Sequence, residues 1–229
     1  MGTSVEFPSN GGSDRGWLAV PPSGKGPGVV VIQEWWGLVD HIKDVCERFA
    51  QAGFVALAPD LYHGTTTKEP DEAAKHSMAL NLQQVAKDMS GAVDYLQGHA
   101  AVASEGLGVV GFCMGGSLAL QLAQQRPDAI RAAVPFYGAG PAHAEGQTWA
   151  TLNAAVQGHY AEIDDFAGPE VARQLEAELK QAGKEVQIFL YPGTHHAFFN
   201  DTRPEVYDRA AATLAWERTL AFLRQTLGG

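Results

Sequence analysis

Cys113, the aspartate pair at 164–165 and the histidine pair at 195–196 are the residues of this chain whose types and spacing suit nucleophilic chemistry. Residues 109–116 read Val-Val-Gly-Phe-Cys-Met-Gly-Gly. An apolar run ends at Gly111 and a helix-compatible run begins at Ser117, so the segment matches G-x-nucleophile-x-G between a strand and a helix. That turn is so tight that glycines must flank it, and it lifts one side chain above the sheet edge. A thiol there faces the positive end of the helix dipole, which favours the thiolate, the reactive form. Free cysteine is more often a small buried hydrophobe. The glycine frame reverses that expectation for Cys113, whereas Cys46, in an amphipathic run without glycines, reads as packing.

A nucleophilic thiol gains from a base and from a group that orients the base. The chain offers them in the order nucleophile, acid, histidine: 51 residues separate Cys113 from Asp164, and 32 separate Asp164 from His196. Each interval has room for a strand and a helix.

The elements that must position these groups alternate. Strand-like runs lie at Trp17–Val20, Gly28–Gln33, Phe54–Ala58, Leu107–Gly111, Ala129–Tyr137, Leu152–Gln157 and Val186–Tyr191. Helical patterns lie at Val39–Ala52, Asp71–Leu96 (one long or broken helix), Ser117–Gln125, Pro169–Ala182 and Glu205–Leu227. This predicts an α/β fold with a mostly parallel, doubly wound sheet and helices on both faces. In such sheets chemistry gathers where strands end. Gln33-Glu34, Asp60, Cys113, Tyr137, Asp164-Asp165 and His195-His196 all follow predicted strands. No repeat or long linker divides residues 1–229, so one domain is expected.

Composition narrows the partners. The chain is 45% hydrophobic and 18% charged, ordinary for a globular protein with a full core. A net charge of -10 disfavours nucleic acid and anionic membranes as partners. No apolar run reaches the roughly 18–20 residues of a membrane span, and the first residues lack the basic-then-apolar pattern of a signal peptide. Two cysteines make neither a disulfide framework nor a zinc motif, so no metal or organic cofactor is expected and a reducing cytoplasm suits the thiol. A small-molecule partner and a monomer or small homo-oligomer are the remaining expectations.

Five segments carry a resemblance. Gly-Phe-Cys-Met-Gly-Gly at 111–116, Gln-Glu-Trp-Trp-Gly at 33–37, Pro-Asp-Leu-Tyr at 59–62, Asp-Asp-Phe at 164–166 and His-His-Ala-Phe at 195–198 are similar, in order, to segments of the dienelactone hydrolase family. That family is the cysteine-using branch of the α/β-hydrolases. The resemblance runs from about residue 28 to the C-terminus. It implies hydrolysis of a small ester, lactone or enol-lactone, with Cys113 as nucleophile, His196 as base and His195 as a neighbour pointing away. Asp164 would orient His196, although Ala167-Gly168 replaces the family's Val-Pro and leaves Asp165 as a rival. Glu34 would help convert the resting thiol to thiolate, and the N–H groups of Trp35 and Met114 would form the oxyanion hole. Trp36, Tyr62, Tyr137, Phe198 and Phe199 are expected to wall an apolar substrate pocket.

The family's carboxylate-binding arginines have no direct counterparts. Asn200 stands at one position with Arg203 three residues on, and the other region offers only Lys75 and His76. A lysine does not reproduce a bidentate guanidinium clamp, so a neutral ester, lactone or thioester fits as well as dienelactone. Two other classes stay open: a non-catalytic small-molecule binder on the same fold, and a thiol redox sensor pairing Cys113 with Cys46.

Overall fold

Gly26–Ile32 and Val102–Phe112 are strands, the first apolar and buried along most of its length and the second from Gly106 onward, and they form the middle of one eight-stranded sheet. The computed structural model describes residues 2–9, 11–140 and 149–228. The one-domain expectation also takes in residues 1, 10, 141–148 and 229, which lie outside the described residues.

In chain order the elements are β1 (Thr3–Ser9), β2 (Gly12–Ala19), β3 (Gly26–Ile32), α1 (Asp40–Gln51), β4 (Val55–Pro59), α2 (Pro70–Met78) and α3 (Leu82–Gly98). Then come β5 (Val102–Phe112), α4 (Met114–Gln125), β6 (Ile130–Phe136), β7 (Ala155–Ile163), α5 (Pro169–Gln181), β8 (Val186–His195) and α6 (Arg209–Leu227). The sheet order is β1-β2-β4-β3-β5-β6-β7-β8. β1 and β2 pair antiparallel, β2 meets β4 antiparallel, and every later pairing is parallel.

Strand periodicity sorts the core into two layers. Val30 and Ile32 of β3 and Val109 of β5 join Met89 of α3, Leu118 of α4 and Leu175 of α5 on one face. Val29, Val31, Val110 and Phe112 join Phe49 of α1 and Leu223 of α6 on the other. Helices thus cover both faces, as the alternating sequence predicts.

Several boundaries differ from expectation. β1 is an additional edge strand, and β5 starts five residues before the predicted Leu107. The strand predicted at Leu152–Gln157 begins later, as β7 at Ala155 after a short 3-10 turn at Trp149–Thr151, and runs on to Ile163. The 71–96 helix is broken in two, because Asn81 caps α3 by accepting from the N–H groups of Gln83 and Gln84. The last helix starts at Arg209, with Asp208 accepting from the Ala211 N–H.

Between β5 and α4 the chain reverses against the ends of β3 and β6. A Cβ on Gly111 would lie 1.9 Å from the Gly115 carbonyl oxygen, and one on Gly115 would lie 2.4 Å from that of Gln33. No side chain fits at either position, which is why the glycine frame is needed.

Candidate active site

Cys113 sits at that reversal, immediately before α4, with φ 57° and ψ -120°. A non-glycine residue at positive φ is uncommon and strained, and here hydrogen bonds on both sides hold it. Its N–H donates to the Phe136 carbonyl at 3.0 Å, and its carbonyl accepts from Gly116 at 2.9 Å. The thiol is half-buried at the floor of a cavity of about 240 Å³, also lined by Glu34, Trp35, Met114, Phe166 and His196.

His196 follows β8, and Asp164 follows β7, the adjacent strand. His196 Nδ1 lies 2.6 Å from Asp164 Oδ2. The carboxylate side chain is fully enclosed (0% exposed), and its Oδ1 accepts from the N–H groups of Phe166 at 2.8 Å and Ala167 at 2.9 Å. Asp165 is exposed and His195 is exposed at the end of β8. Burial pushes the Asp164 carboxyl up, but the bond to His196 and the two backbone N–H bonds outweigh it, so the group sits below the ordinary aspartate value.

His196 is hydrogen-bonded to Asp164 and lines the same cavity as Cys113. With Nδ1 engaged by the carboxylate, Nε2 is the nitrogen available to sulfur. Burial opposes the imidazolium, but the bonds and charges of Asp164 and Cys113 prevail and push it up to about 10 from 6.5. A histidine raised on folding adds stability that is whole below its unfolded value and lost as pH rises through its folded value. The stability difference between the native protein and His196→Gln should therefore be greatest at or below pH 6.5 and shrink up to about pH 10. Urea unfolding of both proteins across that window measures it, and a difference independent of pH would contradict the held imidazolium.

Glu34 lies two residues past the end of β3 with 1% exposure. Its Oε2 accepts from Asn200 Nδ2 at 2.8 Å. The amide orientation is fixed, because Asn200 Oδ1 already accepts from the Thr202 N–H at 3.1 Å and the Thr202 hydroxyl at 2.6 Å. Asn200, read in the sequence only as a missing arginine, is thus the partner that holds Glu34. Glu34 Oε1 and the Tyr137 hydroxyl are both buried without a formed hydrogen bond. Burial, then the charges of Glu34 and Cys113, push the Tyr137 phenol well up, keeping it neutral.

The aromatic wall differs from expectation. Trp35 and Trp36 line the cavity, but Tyr137, Phe198 and Phe199 are core residues with at most 2% exposure. Tyr137 packs against the His196 ring, 4.9 Å centre to centre, and Phe198 packs on Tyr137 and Tyr191. Phe199 stacks on Phe112. Tyr62 lies behind Met114, its hydroxyl 3.8 Å from the sulfur. These rings follow strand ends, where apolar area is absorbed by the helix-covered core. The cavity instead takes Ser77 from α2 and Phe166, which is 55% exposed and edge-on to His196 at 5.6 Å. The Asp-x-Phe spacing carried a signal for Phe166; nothing local marks Ser77.

Arg203 completes the wall, over the Trp36 ring at 5.7 Å and bonded to Glu205 at 2.9 Å. Lys75 and His76 do not line this cavity. Trp36 and Arg203 also border a neighbouring cleft of about 630 Å³. Cys46 is fully buried in α1 and burial pushes its thiol far up, while both cysteines are free. No helix among the described residues is long and apolar enough to cross a membrane.

A largely parallel eight-stranded sheet with its cysteine turn after β5, an acid after β7 and a histidine after β8 defines an α/β-hydrolase fold. Residues 15–227 match the family model described as the dienelactone hydrolase family, and the chain belongs to that family. It is 38% identical over 236 residues to "Protein usf" of Aquifex pyrophilus, covering 99% of this chain and 100% of that one. It is 33% identical over 236 residues to a "Putative carboxymethylenebutenolidase" of Aquifex aeolicus, with the same coverage. Among solved structures, one titled "Putative Dienelactone Hydrolase" from Klebsiella pneumoniae superposes with a TM-score of 0.87 at 28% identity, over 98% of each chain.

Proposed function

We propose that this hydrolase cleaves a small ester, lactone or enol-lactone through a Cys113 acyl-enzyme, with His196 as acid and base and Asp164 orienting it. The observation that carries the reading is the 2.6 Å bond from the enclosed Asp164 carboxylate to His196, whose ring lines one cavity with Cys113. Cys113 thiolate attacks the carbonyl carbon, forming the S–C bond as the π pair moves onto oxygen. The N–H groups of Met114 and Trp35 hold that oxyanion. Its collapse breaks the C–O bond, and the alkoxide takes the proton of His196. In a lactone the new hydroxyl stays tethered to the acyl group. Neutral His196 then removes a proton from water, which attacks the thioester and expels the sulfur.

A cavity of about 240 Å³ walled by Trp35, Trp36, Met114 and Phe166 suits a small substrate, since pockets for drug-sized ligands begin near 300 Å³. Arg203 brings a guanidinium to the cavity wall, but Glu205 already engages it. Neutral and anionic substrates are both accommodated, with the neutral favoured. A reducing cytoplasm suits the free thiols. Alkylation of Cys113 by iodoacetamide, followed by peptide mass mapping, should remove turnover of an activated aryl ester and of a butenolide in proportion to labelling. Full turnover by stoichiometrically labelled protein would refute the acyl-enzyme.

A further inference from the structure

We propose that Asp14, His63 and Asp88 form a site for one divalent first-row transition ion, separate from the catalytic cavity. The three residues come from β2, the loop after β4, and α3. His63 Nδ1 lies 3.3 Å from Asp14 Oδ1, and its Nε2 lies 3.4 Å from Asp88 Oδ2. One nitrogen and one oxygen from each carboxylate fall within 4.8 Å of one another. Ligand atoms around an ion with bonds of about 2.1 Å sit roughly 3–4.3 Å apart, so the cluster needs only a slight contraction.

Burial separates this cluster from an ordinary acidic patch. Asp14 is 3% exposed and Asp88 is 1% exposed. Each uses one oxygen for the protein. Asp14 Oδ1 accepts from the Arg15 N–H at 2.7 Å, and Asp88 Oδ1 accepts from the Ser9 hydroxyl and from Gln84 Nε2 at 2.8 Å. The other oxygen of each, Asp14 Oδ2 and Asp88 Oδ2, is buried with no hydrogen-bond partner. Among the described residues neither carboxylate pairs with a lysine or arginine. Two adjacent buried carboxylates offset only by one half-exposed imidazole are costly, and a carboxylate pinned by one oxygen is how proteins orient a metal ligand.

His63 supplies the accessible third position, with its side chain 54% exposed. It sits at φ 51° in a turn fixed by Asp60, which accepts from the Tyr62 and Gly64 N–H groups. The half-open face leaves coordination positions for water. One imidazole with two carboxylates suits Mn²⁺, Fe²⁺, Co²⁺ or Zn²⁺ better than Ca²⁺ or Mg²⁺. Such an ion would tie β2 and α3 to the loop whose Thr67 N–H donates to the Trp36 carbonyl at 3.1 Å. Its effect would be on the firmness of that loop and on stability.

Mn²⁺ is the probe, because carboxylate and imidazole take it while a thiol does not compete, so Cys113 is silent. Metal-stripped protein titrated with Mn²⁺ and read by the free-ion electron paramagnetic resonance signal should bind one ion per chain. Saturation should raise Tm by about 4 °C or more. His63→Gly removes the imidazole and relieves the positive φ. Asp88→Asn keeps an oxygen to accept from Ser9 and Gln84. Each should weaken binding at least about tenfold, since one of three ligands is lost or made neutral, and should abolish the rise in Tm. Absence of binding at millimolar Mn²⁺, or equal binding by both variants, would overturn the proposal.

Discussion

Cys113→Ala will lower kcat for an activated aryl ester by about six orders of magnitude, the scale on which losing the nucleophile acts, leaving only the roughly 10³–10⁴-fold advantage over water that binding and oxyanion donors supply. The loss belongs to chemistry and not to folding. Residue 113 contributes its backbone to the turn through the bonds to Phe136 and Gly116, and alanine keeps both. The positive φ costs alanine no more than cysteine. Tm should therefore move little. Cys113→Ser should be almost as poor, because a hydroxyl is far less acidic than a thiol and must be stripped of its proton by a base during attack, in a site shaped around the larger sulfur. Cys46→Ala is the control: buried in α1, it should cost stability and leave kcat unchanged. Steady-state kinetics and thermal melts on the three variants decide the matter. Undiminished turnover by Cys113→Ala would remove the sulfur from the mechanism.

The residues that announce this site are those whose local surroundings are forced. Gly111 and Gly115 are required by backbone contacts nearer than any Cβ could approach, and that requirement is written as a short motif. Strand alternation likewise leaves a period in the sequence, so the parallel sheet and its two helical layers are legible. What depends on three-dimensional burial is not. Tyr137, Phe198 and Phe199 have the types of pocket walls, yet the core closes over them. Asn200 meets Glu34 across 166 positions, a distance no local pattern records. β1 is an edge strand with mostly exposed residues, so it lacks the apolar run by which strands are found.

The two neighbouring aspartates give a discriminating test, because sequence leaves them equal and geometry does not. In Asp164→Asn, the side-chain oxygen must keep accepting from the Phe166 and Ala167 N–H groups, as Asp164 Oδ1 does. The amide NH₂ is thereby turned toward His196 Nδ1, which must become an acceptor. The single proton of the neutral ring then moves to Nε2, facing Cys113, where an acceptor for the thiol proton is needed. The wrong tautomer and the loss of the carboxylate charge should together lower kcat by about 10³–10⁴. KM should change little, since Asp164 is enclosed and absent from the cavity wall. Asp165→Asn alters an exposed carboxylate and should stay within about twofold of the native rate. His196 should also titrate lower in Asp164→Asn, as followed by its ring proton shifts, because the first of the bonds that raise it is gone. A native rate in Asp164→Asn, or a larger loss in Asp165→Asn, would assign the orienting role to the other carboxylate and require the β7–α5 loop to rearrange during turnover.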